Sequence, residues 1–187
     1  MQTSRDQYED ATILIIDDNH NNLRLLGNLF HSQGYAVRLA ASGQLGLMTA
    51  QSTPVDIILL DIMMPDMDGY AVCRALKANV QTRAIPVIFV SALVEVFDKV
   101  KGFSAGGADY ITKPFQMDEV LARISTHLAL RRMQQQLQHQ NDSLQQEIVE
   151  RKRIEDALRE SERRFRLLAE KRPGYHLSLS LAARQRV

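Results

Sequence analysis

The sequence predicts an α/β fold, a five-stranded parallel sheet with helices on both faces, followed by a long C-terminal α-helix. Three observations carry this. Between Ala11 and about His127, short apolar runs rich in β-branched residues alternate with amphipathic stretches. Gly34, Pro54, the 65–69 stretch, Pro86, Gly106, Gly107 and Pro114 fall at the junctions. From Leu128 to Arg172 there is neither Gly nor Pro, and Gln, Glu, Arg and Leu dominate.

In chain order, residues 13–16 form the first strand, because four consecutive aliphatic residues suit a strand buried on both faces. Residues 21–32 place Leu23, Leu26, Leu29 and Phe30 at helical spacing. Residues 36–40 are a weaker strand candidate, and residues 44–51 a second helix. A strand over 55–60 and a helix over 70–79 follow, then a strand over 87–90 and a helix over 95–104. Residues 108–112 are the second weak strand candidate, and residues 117–130 make the fifth helix. Strands alternating with helices in this way imply a parallel sheet with covered faces.

Composition bounds the possibilities. The chain has 187 residues, enough for one domain of about 100–150 residues and a further segment. Hydrophobic residues make up 45%, which supports a packed core and excludes a disordered chain. The single cysteine, Cys73, cannot form an internal disulfide or a zinc pair and is read as a packing residue. No apolar run approaches the ~20 residues that span a bilayer, and the first ten residues are polar and acidic. The expectation is a cytoplasmic protein with no membrane contact. Residues 1–130 carry 10 Lys and Arg against 14 Asp and Glu, and residues 131–187 carry 13 against 8, so −4 and +5 sum to the net +1. An acidic part and a basic part adjoin.

In open α/β sheets the crevice lies outside the carboxyl ends of the strands. Here those ends carry Asp17 and Asp18 after the first strand, Asp61 after the third, Ser91 after the fourth and Lys113 after the fifth. Crowded carboxylates repel one another, and a hard divalent cation relieves that repulsion. Magnesium takes an octahedral shell of oxygens and keeps waters, so Asp18, Asp61, one backbone carbonyl and a water held by Asp17 would suffice. A carboxylate beside such a cation can act as a nucleophile toward phosphorus, with Lys113 and Ser91 receiving the phosphoryl oxygens.

The matching residues are Asp17-Asp18-Asn19 after an apolar strand, Asp61-Ile62-Met63-Met64-Pro65-Asp66-Met67-Asp68-Gly69, Ser91-Ala92, and Asp109-Tyr110-Ile111-Thr112-Lys113-Pro114-Phe115. In this order the chain resembles the receiver domain of bacterial two-component response regulators, over residues 11–127. The resemblance implies the flavodoxin-like receiver fold and a phosphorelay role. It makes Asp61 the acceptor of a phosphoryl group from a sensor histidine kinase or phosphotransfer protein. Asp17, Asp18, Asp61 and the backbone carbonyl of Met63 would hold Mg²⁺. Lys113 would pair with the phosphorylated Asp61, Ser91 would move onto the new group, and Tyr110 would rotate inward behind it. Catalysis would be limited to self-phosphorylation and slow self-dephosphorylation. Asp66 and Asp68, in a Pro- and Gly-bounded turn, read as turn formers. The histidines His20, His31, His127, His139 and His176 share no metal-binding spacing, and His139 lacks the acidic neighbour and following proline of a kinase's histidine box.

The basic part reads as one helix over 128–170, continuous with the fifth. Leu130, Leu137, Leu144, Leu158 and Phe165 keep a seven-residue spacing broken at Arg151, with Ile148 a neighbouring seam position and Asn141 a polar one. Met133, Ile154 and Leu168 define an alternative register. A parallel homodimer through this helix is expected. Residues 150–170 resemble the signalling helix that leads into PAS sensor domains. The remaining 171–187 are basic and far short of the ~100 residues such a domain needs, and they read as a short tail with no assigned role, the start of a truncated PAS domain being one alternative. Residues 1–10 read as an N-terminal tail.

Two other functions are weaker. A Mg²⁺-dependent phosphatase with an aspartyl nucleophile needs Asp-x-Asp at the first strand, whereas the sequence there is Asp17-Asp18-Asn19. Nucleic-acid binding by the coil is not expected, because its basic residues are interleaved with acidic ones and no recognition helix follows.

Overall fold

The structure of the protein, a computed structural model, describes residues 11–92 and 96–170. The expected tails at 1–10 and 171–187, and Glu95 at the start of the fourth helix, lie outside the described residues. The elements alternate as expected. They are β1 (Thr12–Ile16), α1 (His20–Ser32), β2 (Ala36–Ala40), α2 (Gly43–Ser52), β3 (Ile57–Asp61), α3 (Gly69–Ala78), β4 (Val87–Ser91), α4 (Val96–Ser104), β5 (Asp109–Thr112) and α5 (Met117–Glu170). All pairings are parallel, in the order β2-β1-β3-β4-β5.

The apolar runs make strands because both of their faces are covered. Leu14, Ile16, Ile58, Leu60, Val87 and Phe89 point into one core with Val72, Cys73 and Leu76 of α3. Ile13, Ile15, Ile57, Leu59, Ile88 and Val90 point into the other, against Leu23, Leu26 and Phe30 of α1 and Val120, Ile124 and Leu128 of α5. Period-two alternation of two buried sets yields a run with no polar member, as parallel sheets require. β2 is the exception. It lies at the sheet margin, with Ala36, Arg38 and Leu39 exposed, which is why its pattern is weak.

Caps fix where the helices begin. Asn19, Ser42 and Asp68 each accept a backbone N–H of the first turn of α1, α2 and α3. Asp68 therefore does the local work expected of the 65–69 turn, as the N-cap of α3. Gly34 closes the α1–β2 turn at φ 91°, a conformation that side chains with a Cβ disfavour. Strands β3 and β4 run one residue past the apolar stretches, so that Asp61 and Ser91 are their last residues.

The chain divides into two compact units after Gln134. In the first, α5 contributes more than its first turns. Leu128 is buried at 1% exposure, and Arg131 donates from Nη1 to the Asp56 carbonyl at 2.6 Å, so this unit reaches beyond the expected boundary at 127. In the second, residues from Gln135 to Glu170 are helical throughout, with i,i+4 ion pairs Arg159–Glu155 and Arg164–Glu160. Among the described residues no helix is long and apolar enough to cross a membrane.

Candidate functional site

The sheet register builds the site. Ile16 pairs with Leu60, so Asp17 and Asp61 follow side by side at the β1–β3 switch point of the strand order. Asp61 pairs with Val90, and Ser91 pairs with Thr112, the residue before Lys113. The Lys113 N–H donates to the Ser91 carbonyl at 2.7 Å, which ties the end of β5 to β4.

Three carboxylates meet there. One oxygen from each of Asp17, Asp18 and Asp61 lies within 4.8 Å of the others, with Asp17 and Asp61 buried and Asp18 exposed. Lys113 spans the two buried ones, its Nζ 2.9 Å from Asp61 Oδ2 and 3.0 Å from Asp17 Oδ2. Burial pushes the Asp61 carboxyl up despite the hydrogen bond and charge of Lys113. Burial also works to lower the Lys113 ammonium, but its hydrogen bonds to Asp61 and Asp17 outweigh that and hold it above its ordinary value. The lysine is therefore charged at neutral pH, and Asp61 holds its proton more tightly than an exposed carboxyl does.

The other expected residues surround this centre. Ser91 is fully buried at the end of β4. Met63 lies two residues past Asp61, its side chain 63% exposed, and its N–H reaches Asp61 Oδ1 at 3.4 Å. Tyr110 pairs with Phe89 in the sheet and is buried at 6%.

Two groups of supporting residues escaped the sequence reading. Asn22 donates from Nδ2 to Asp17 Oδ2 at 2.9 Å, while the Asn19 N–H donates to Asp17 Oδ1 at 2.8 Å. Both oxygens of Asp17 are thus oriented from α1 and its cap. The signal was a polar residue five positions beyond the carboxylate, in the first turn of a helix that begins at the strand end. Asn22→Ala is expected to lower stability by about 1–2 kcal/mol, since it removes a hydrogen bond to a buried charged group. The midpoint of urea unfolding measures this. The second group is on α5. Arg123 Nη1 and His127 Nε2 lie 2.8 and 3.1 Å from Asp109, next to Tyr110. Burial works against the ionised Asp109, but the Tyr110 N–H, His127 and Arg123 hold its carboxyl below the usual range.

Comparisons with known proteins show the family. Residues 13–125 match the family described as the response regulator receiver domain. A probable cyclic di-GMP phosphodiesterase of Vibrio cholerae is 36% identical over 159 residues, covering 83% of this chain and 36% of that protein. The response regulator PleD of Caulobacter vibrioides is 42% identical over 114 residues, 61% of this chain and 25% of that one. The chain spans well under half the length of either relative. Among solved structures, it resembles the receiver domain of a sensor histidine kinase from Pseudomonas aeruginosa PAO1, which has a magnesium ion coordinated in its active site cleft. That superposition has a TM-score of 0.60 at 30% identity and covers 64% of this chain and 98% of that one.

Proposed function

Because the chain belongs to the response regulator receiver domain family, we propose that Asp61 accepts a phosphoryl group from a sensor histidine kinase or phosphotransfer protein, and that the C-terminal helix passes the change on. One observation carries this reading. A buried carboxylate at a strand end is held by a lysine ammonium at 2.9 Å and crowded by two further carboxylates.

The donor set fits Mg²⁺. Three carboxylate oxygens within 4.8 Å of one another are the hard, anionic donors that Mg²⁺ prefers. Asp18, Asp61 and the Met63 carbonyl would hold the ion directly, with Asp17, whose oxygens accept from Asn19, Asn22 and Lys113, acting through water. Bound there, it neutralises carboxylate charge and draws in phosphoryl oxygens.

A carboxylate oxygen of Asp61 attacks phosphorus, the phosphorus–nitrogen bond of the phosphohistidine breaks, and the pair of electrons leaves with the imidazole. The product is an acyl phosphate on Asp61. Lys113 keeps its charge and moves its hydrogen bond to a phosphoryl oxygen. Ser91 donates its hydroxyl to another, and Tyr110 fills the space behind it, which makes a two-state switch from one change in charge. No separate metabolite is turned over. Within this reading residues 11–127 are the receiver, residues 128–170 are a signalling helix, and two copies pair through that helix.

Incubation with acetyl phosphate and Mg²⁺, followed by intact-mass measurement, is expected to show one phosphoryl adduct on the wild-type protein, and its absence would overturn the reading. The metal assignment has its own readout. At Mg²⁺ ten times its Kd, binding to the folded state alone adds about 1.4 kcal/mol and raises Tm. Asp18→Ala is expected to lose that response, and a response of wild-type size in the variant rejects the assignment.

A further inference from the structure

The residues of α5 beyond Gln134 carry a row of apolar side chains that stand exposed among the described residues. Leu137, Leu144, Ile148, Ile154, Leu158, Phe165 and Leu168 are between 55% and 75% exposed. Four of them, Leu137, Leu144, Leu158 and Phe165, form one line at seven-residue spacing, with Arg151 in its middle place.

The second line of the seam changes side at that arginine. Upstream, 137-141-144-148 alternates steps of four, three and four, with Asn141 and Ile148 completing the seam. Downstream, 154-158-161-165-168 alternates four, three, four and three, with Ile154 and Leu168 completing it. Between them, 148-151-154 takes two steps of three. At 3.6 residues per turn, Ile148 stands about 60° to one side of Arg151 and Ile154 about 60° to the other. Neither pattern works alone. Carried downward, the first would bury Glu155 and Glu162; carried upward, the second would bury Gln140 and Glu147.

The polar member of the seam identifies the occupant. In a parallel pair of identical helices, a residue beside the seam faces the residue five positions on in its partner. Two such pairs straddle Arg151, Glu147 against Lys152, an attraction, and Glu150 against Glu155, a repulsion, and they offset one another at that place. Asn141 at a seam position favours two strands in register.

We propose that residues 137–168 pair in parallel with a second copy of this chain, and that the seam changes phase at Arg151, where two successive three-residue steps overwind the coil. The inference rests on the pairing proposed above and adds to it the place where the two halves of the seam meet. Arg151 suits that place because its long stem covers apolar surface while its head reaches water.

The test uses the full chain in a Cys73→Ala background, with single cysteines introduced by Leu144→Cys, Glu147→Cys, Ile148→Cys, Ile154→Cys and Glu155→Cys. Mild oxidation and non-reducing electrophoresis measure the rate of disulfide-linked dimer formation. Position 144 lies on the shared line and is expected to link fast, reporting the pairing itself, with Leu137→Cys as a repeat. Position 148 is expected to outpace 147, and 154 to outpace 155, each several-fold. Failure at both 144 and 137 rejects pairing in parallel, as an antiparallel or foreign partner would produce. Fast linkage at 144 with 147 outpacing 148, or 155 outpacing 154, rejects the phase change and leaves the pairing standing.

Discussion

Asp61→Asn is expected to abolish phosphoryl uptake from acetyl phosphate and, in metal-free buffer at neutral pH, to raise thermal stability. The first effect follows from chemistry, since the amide nitrogen and carbonyl cannot form the acyl phosphate. The second follows from linkage. Burial holds the folded-state pKa of Asp61 above its unfolded value. The folded protein therefore keeps this proton more tightly than the unfolded chain does. As pH rises through the unfolded value, the unfolded chain ionises first and gains on the folded state. Above the folded value the full penalty remains. Asn has the same shape without the charge, and Lys113 keeps its 3.0 Å contact with Asp17. Melting curves in EDTA are expected to show the variant above wild type at pH 7, with the gap closing in acid below the ordinary carboxylate range. A variant that melts lower at pH 7 would show that the loss of the Lys113 contact outweighs relief from burial. A persistent phosphoryl adduct on it would remove Asp61 from the acceptor role.

Gly69→Ala is expected to cost about 3 kcal/mol, at the upper end of the penalty for forcing atoms into a packed site. A Cβ there would lie 2.3 Å from the Asp61 carbonyl oxygen and 2.9 Å from the Ile62 Cα. Both neighbours are backbone, so neither can swing aside. The Gly69 N–H also donates to the Ile62 carbonyl at 3.0 Å, which fixes the first residue of α3 against the end of β3. Alanine is favoured over glycine in a helix by up to about 1 kcal/mol, so the clash must exceed that gain. Any relief would come from moving the backbone that carries Asp61, and slower uptake from acetyl phosphate should accompany the lost stability. Urea unfolding measures the stability. A change under about 0.5 kcal/mol, the usual range for an innocuous surface substitution, would show that α3 stands off the strand in solution.

The parts that were legible in the sequence are those where one physical requirement acts on a continuous stretch. β1, β3 and β4 are buried on both faces and so read as unbroken apolar runs. Their carboxyl ends then point to Asp17, Asp61 and Ser91 without knowledge of any contact. β2 was faint because its side chains at 36, 38 and 39 face water and no alternation is imposed on them. Gly69 was legible as punctuation but not for its reason, which is an approach between backbones eight residues apart. Asn22, Arg123 and His127 were missed because each is an ordinary polar residue on a helix, and only its partner across the fold makes it matter. The extent of α5 that belongs to the first unit was hidden in the same way, since Arg131 joins it through a backbone carbonyl 75 positions earlier.

The exposed position of β2 has a consequence for handling the protein. An outer strand offers a free row of N–H and C=O groups, and an apolar one invites neighbouring molecules to stack into fibres. Here the strand is only five residues long and Arg38 occupies its centre. A stacked neighbour would have to bring identical guanidinium groups together. Resistance of this edge to stacking therefore depends on one cation, far from the chemistry, and salt that screens it should favour aggregation.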